Sequence, residues 1–126
     1  MSALVVAVIL AAGAIGALLR YGVSSTFARM PARLPWAVFI VNVAGSLVGG
    51  IVLGLVQAGV ISHDLRLILL TGFAGGLTTF STLSVETIQL VMIGRWRSAV
   101  VSVVANVVLG VGAVALGCCA VLLIAG

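Results

Sequence analysis

Charge is scarce in this sequence. Only 6% of its 126 residues are charged and 63% are hydrophobic, whereas a soluble domain carries about 25% charged residues. Eight charged side chains cannot cover a water-facing surface, so lipid is the implied solvent. Carboxylates are scarcer still, with Asp64 and Glu86 the two in the chain. No carboxylate pair for acid–base chemistry can be drawn from them. His63 is the single histidine, and it sits beside Asp64 in a short polar stretch. There is no Ser/His/Asp constellation and no cluster of metal-ligating side chains, so an enzyme is not expected. Cys118 and Cys119 are adjacent, which excludes an ordinary disulfide between them and leaves them as small apolar residues. The net charge of +4 comes from scattered arginines near the ends of apolar runs. Arginine is usually placed there to reach headgroups, and no nucleic-acid partner is implied.

The charges divide the chain into uncharged stretches at 1–19, 34–62, 67–85 and 98–126. Each is long enough for a helix that crosses a hydrocarbon core, which takes roughly 20 residues. The first stretch has no basic residue before its apolar run and no polar domain after it, so it reads as a retained helix and not a signal peptide. The spacing predicts helices at about Ala3–Val23, Pro35–Gly59, Leu65–Ile93 and Trp96–Leu123. Phe27–Leu34 is predicted as a loop, with Pro35 and Trp36 opening the second helix at the membrane interface. Ser62–Asp64 is a turn placed to cap the third. The fold class expected is all-α, a single four-helix transmembrane domain over 1–126 in the cell membrane. Arg29, Arg33, Arg95 and Arg97 fall on one side with Arg20 near them, against Arg66 on the other. That bias puts both termini outside.

Glycine is abundant, and Gly45 with Gly49, Gly50 with Gly54, Ala12 with Gly16 and Ala113 with Gly117 recur at four-residue spacing. Such stripes let helix backbones approach closely in lipid, and their extent predicts an oligomer. More informative are the polar residues that cannot reach water. Gly72–Thr82 holds two adjacent glycines and then two threonines in the middle of the third span, the weakest helix former in the chain. A break is expected there, near the bilayer midplane. Non-helical backbone at that depth is tolerated only where protein buries it or where it lines a cavity or binds an ion. Asn42 stands alone in an apolar run. Ser81, Ser84 and Thr87 on the third helix, with Ser102 and Asn106 on the fourth, complete a possible track of neutral donors for a small anion. Arg20, at the end of the first helix, either snorkels to the headgroups or lines a vestibule. Glu86 is expected to face water or an arginine.

Three runs carry a resemblance. Gly13-Ala14-Ile15-Gly16-Ala17-x-x-Arg20-Tyr21, Asn42-Val43-x-Gly45-Ser46-x-x-x-Gly50 and Gly72-Phe73-x-Gly75-Gly76-x-Thr78-Thr79-Phe80-Ser81-Thr82 resemble the Fluc (CrcB) fluoride channels. The match covers three of the four helices. It implies an antiparallel, dual-topology dimer with two narrow fluoride pores. It also implies a structural sodium ion at the dimer centre, held by the backbone oxygens of Gly75 and Thr78. Asn42 would be a pore-lining donor and Phe80 a pore aromatic whose positive edge faces the anion. Ser81, Leu83, Ser84, Ser102 and Asn106 would continue the lining, with Arg20 and Glu86 in the vestibule. The implied function is passive export of cytoplasmic fluoride, which enters as its weak acid and ionises inside.

Leu83 departs from the family, which usually has a second Phe three residues after the first. With the arginine bias, this leaves two assemblies open: a homodimer, or a heterodimer in which this chain is a weakly conducting partner of an oppositely oriented paralogue. A small multidrug-type exporter is the rival function. It needs a titratable carboxylate in its cavity, and Glu86 is the one acid in the spans. A non-conducting scaffold subunit would explain the small-residue stripes but not the clustered donors.

Overall fold

The computed structural model describes residues 1–29 and 35–126. Their regular structure is all helical, with no strand among the described residues. Helix α1 is Ala3–Phe27 and α2 is Trp36–Gln57. The third span begins with α3, His63–Arg66, and passes through a π-helical segment, Leu67–Ala74, into α4, Gly75–Leu77. It resumes as α5, Phe80–Met92, and α6 is Trp96–Ala125. Four helices, with the third counted as His63–Met92, are long and apolar enough to cross a membrane. Of the loop predicted over 27–34, Phe27 closes α1, and residues 30–34, including Arg33, lie outside the described residues.

The ends have local causes. Ser2 Oγ accepts the Val5 N–H at 3.2 Å, and Ser62 Oγ accepts the Leu65 N–H at 3.2 Å. Each is an N-cap that satisfies an amide the helix cannot. Pro35 precedes α2, and Trp36 meets Phe39 edge to face at a centroid distance of 5.8 Å. Helix α2 stops at Gln57, short of the expected Gly59, because Gly59 takes φ +70°. Its N–H returns to Val56 O and that of Val60 to Leu55 O, both at 3.0 Å. Gly94, at φ +81°, ends α5 in the same way, with Arg95 N–H on Leu90 O at 2.8 Å. These are paired C-terminal closures that need a left-handed residue, which glycine adopts without strain.

Packing is by small residues. Helices α2 and α6 form the most extensive pair, and Val38, Val41, Val52, Ala99 and Ala113 are buried. A Cβ on Gly50 would fall on the Val114 carbonyl, and one on Gly117 would come within 2.8 Å of the Leu47 oxygen. Helix α1 lies along the first half of the third span by the same device. A Cβ on Gly76 would strike the Gly13 carbonyl, and one on Gly72 would reach 2.7 Å from Ile9 O. Close backbone approach is how helices gain dispersion contact when lipid supplies no hydrophobic drive.

A graded test follows. Gly50→Ala should lower the thermal midpoint in detergent, since forced overpacking costs about 1–3 kcal/mol. Gly112 has open space around it, so Gly112→Ala should leave the midpoint unchanged or raised. Size-exclusion peak height after stepwise heating reads both.

Candidate functional site

The third span changes conformation at two residues. Thr78 has φ −81° and ψ 156°, and Thr79 has φ −149° and ψ 118°. Both are extended, between α4 and α5. Gly75 and Gly76, which look like the weak point in the sequence, are helical. Gly76 serves the contact with α1, and the chain leaves the helix only after Leu77.

Asn42 on α2 faces this segment with a full set of bonds. Its Oδ1 accepts the Thr79 N–H at 2.8 Å, and its Nδ2 donates to Thr79 O at 3.2 Å. The side-chain amide thus pairs with Thr79 as a neighbouring strand would. Reversed, it would set like groups against each other, so the orientation of the amide is fixed. The second Nδ2 proton goes to Asn106 Oδ1 on α6 at 3.2 Å. Asn106 in turn donates to Ser102 O at 2.8 Å. Gly45, three residues after Asn42, makes room for the Thr78 methyl.

The hydroxyls close the junction. Thr79 Oγ1 accepts the Thr82 N–H at 3.2 Å and donates to Thr82 Oγ1 at 3.1 Å, capping α5. Because its one proton is used there, the Ser81 hydroxyl 3.2 Å away is the donor of that pair. Thr78 Oγ1 returns to Ala74 O at 3.0 Å, Ser84 Oγ to Phe80 O at 2.9 Å and Thr87 Oγ1 to Leu83 O at 2.7 Å. Thr79 and Asn106 are buried, at 6% and 7% exposure.

An open groove of about 610 Å³ runs along this junction. Of the residues expected to line a path, it brings together Asn42, Phe80, Leu83, Ser84, Thr87 and Asn106, and it adds Ser46, Thr78 and Thr79. Phe80 is 81% exposed at its edge, while Leu83 is buried. Ser81 is exposed and turned to Thr79. Ser102 lies elsewhere, beside a separate apolar cavity lined also by Trp36 and Phe39. Arg20 neither simply snorkels nor stands free, for its Nη1 donates to Thr78 O at a long 3.5 Å. Glu86, on α5, is half-buried, and among the described residues its Oε2 is buried with no hydrogen-bond partner.

Whether a hard cation suits Gly75 and Thr78 can be judged from the bonds. Thr79 N–H is turned to Asn42 and Thr82 N–H to Thr79 Oγ1. The carbonyls of Gly75 and Thr78 therefore lose the amides a continuous helix would supply. The Gly75 oxygen is left open as a donor for a cation such as sodium, whereas the Thr78 oxygen already accepts the Arg20 guanidinium at 3.5 Å, which a cation bound there would have to displace.

The fold and this junction define a class: a multi-pass membrane protein of four apolar spans, with a polar junction inside the third. Residues 7–118 match the family described as CrcB-like protein, Camphor Resistance (CrcB). The chain belongs to the CrcB family. A relative from Methylobacterium sp. (strain 4-46), named fluoride-specific ion channel FluC, is 46% identical over 110 residues, covering 86% of this chain and 87% of the relative. Fluoride-specific ion channel FluC 1 of Mycobacterium bovis (strain ATCC BAA-935 / AF2122/97) is 44% identical over 109 residues, with 86% and 83% covered. Fluoride-specific ion channel FluC of Nitratidesulfovibrio vulgaris (strain DSM 19637 / Miyazaki F) is 41% identical over 108 residues, with 84% and 87% covered.

Asn42→Ala removes both partners of the Thr79 peptide groups and the donor to Asn106. Each orphaned buried group costs about 1–3 kcal/mol, so this variant should fall well below the parent in thermal stability. Asn42→Asp keeps the acceptor for Thr79 N–H but sets a carboxyl oxygen against Thr79 O and Asn106 Oδ1, so it should also fall well below the parent. Melting curves of the three proteins in one detergent check the order.

Proposed function

We propose that this chain forms a fluoride-selective channel that lets cytoplasmic fluoride leave the cell passively across the cell membrane. The observation that carries the reading is the extended Thr78–Thr79 segment beside an open groove, lined in part by polar side chains, within an apolar span. Such backbone is tolerated where protein buries it, as Asn42 helps to do for Thr79, or where it lines a cavity, as the groove beside it provides. The names of the relatives, fluoride-specific ion channels at 41–46% identity, supply the ion. Fluoride enters as its weak acid and ionises inside, so an open anion path suffices for export.

The working unit in this reading is an antiparallel dimer in which the interruption of the third helix lies near the midplane. The groove lies open along this junction, and a second copy laid across it closes it to lipid. Phe80, exposed at the groove edge, presents its ring to the anion or to the second copy. Leu83, Ser84 and Asn106 line the path, Arg20 brings positive charge toward it, and Glu86 and Ser102 flank it. Asn42 acts chiefly by holding Thr79. A structural sodium ion at the dimer centre would be held by Gly75 and Thr78 oxygens, and it would supply fixed positive charge between the copies.

Leu83 favours a second assembly, a heterodimer with an oppositely oriented paralogue in which this chain conducts weakly. Two differently tagged copies that co-purify as a dimer without another subunit would exclude it.

Liposomes containing only the purified chain should lose fluoride quickly and retain chloride. An ion-selective electrode reads the fluoride release. Loss of both anions at equal rates would remove the selectivity. Loss of neither from a well-folded dimer would remove the channel reading for the chain alone.

A further inference from the structure

The protons of the groove can be followed one by one. Thr78, Thr79, Ser84 and Thr87 each give their single hydroxyl proton to a protein oxygen, at 3.0, 3.1, 2.9 and 2.7 Å. Asn42 gives both amide protons, to Thr79 O and Asn106 Oδ1. A passing anion finds no free donor on any of these five side chains. Two donors remain on the groove wall. One is the second Nδ2 proton of Asn106, whose first goes to Ser102 O. The other is the hydroxyl of Ser46, which lines the groove and has no hydrogen-bond partner among the described residues.

The place of Ser46 is set by the packing of α2 on α6. Asn42 bonds Asn106, and one turn further along both helices Ser46 meets Gly110, where a Cβ would lie 3.4 Å from Ser46 Oγ. The two pairs are successive rungs of one seam. A helical serine commonly returns its hydroxyl to the carbonyl four residues back, as Ser84 does. Ser46 does not, and the missing side chain at Gly110 leaves it nothing across the seam.

We propose that Ser46 and Asn106 together form the anion-contact site of the groove, one O–H and one N–H offered from adjacent rungs of α2 and α6. The ligand class is a small, dehydrated anion, for which hydrogen bonds from neutral donors replace water. The inference rests on the channel reading and adds to it a role for Ser46, which the sequence places in the Asn42-Val43-x-Gly45-Ser46 run without assigning it one.

The test is fluoride efflux from liposomes holding the full chain or its variants. A hydrogen bond to a charged partner is worth about a tenfold rate or more, so Ser46→Ala should slow efflux by about that factor while keeping the parent's size-exclusion profile. Ser46→Cys, of similar size but a weak donor, should also be slow, and it serves if the alanine variant does not fold. The double variant Ser46→Ala with Gly110→Ser returns a hydroxyl from the other side of the seam and should recover most of the lost rate. Parent-like efflux in Ser46→Ala or Ser46→Cys overturns the inference and leaves the channel reading standing. So does a folded double variant as slow as the single. A parent chain that releases no fluoride overturns both.

Discussion

A peptide group in hydrocarbon must find its hydrogen-bond partner inside the protein, because no water is there to supply one. The third span meets that demand at Thr79, where its backbone turns extended. The partner is a side chain: Asn42 answers both the N–H and the C=O of one residue. Much of the surrounding arrangement follows. Helix α2 must sit where Asn42 can reach Thr79, Gly45 must be small so that Thr78 can pass, and Asn106 must come from α6 to take the remaining proton. The junction is therefore a property of three helices at once, and no one of them contains it.

The glycines make those approaches possible. On α2 and α6 they let two backbones run nearly in contact, and on α1 and the first half of the third span they do the same. The result is a fold whose positions are set by the absence of side chains, with few large residues interlocking. It also puts Ser46 beside an open place at Gly110, an unpaired hydroxyl next to a junction in which nearly every other proton has a partner.

The four spans were legible in the chain because eight charges punctuate it, and the caps at Ser62 and Pro35 could be read from residue type alone. Helix ends were read two residues late at Gly59, since nothing local distinguishes a glycine inside a helix from one in the left-handed closure. The place where the helical backbone of the third span gives way was less legible. Propensity points to Gly75 and Gly76, yet these remain helical: α1 packs on Gly76, and Asn42 takes up the backbone three residues further on, at Thr79. Nothing in Leu67–Ala74 marks it as π-helical. Asn42 was visible as an unusual residue, but its task was not. A lone amide in an apolar run can face a path, a neighbouring helix or a backbone, and only the tertiary partner decides. Ser84 and Thr87 show the same limit, since their hydroxyls turn to their own helix.

In this account the anion path and its support are different residues that share one groove. Asn42 holds the extended segment in place, and the donors left free beside it are the ones proposed to meet the ion. The support is the part on which the rest depends, and amide hydrogen exchange at Thr79 in lipid bilayers probes it directly. The account predicts that the Thr79 N–H exchanges as slowly as the amides within α5, although it lies in no helix. Exchange as fast as at the chain termini would contradict it, for then Asn42 would not be holding the backbone and the groove would lack the frame described here.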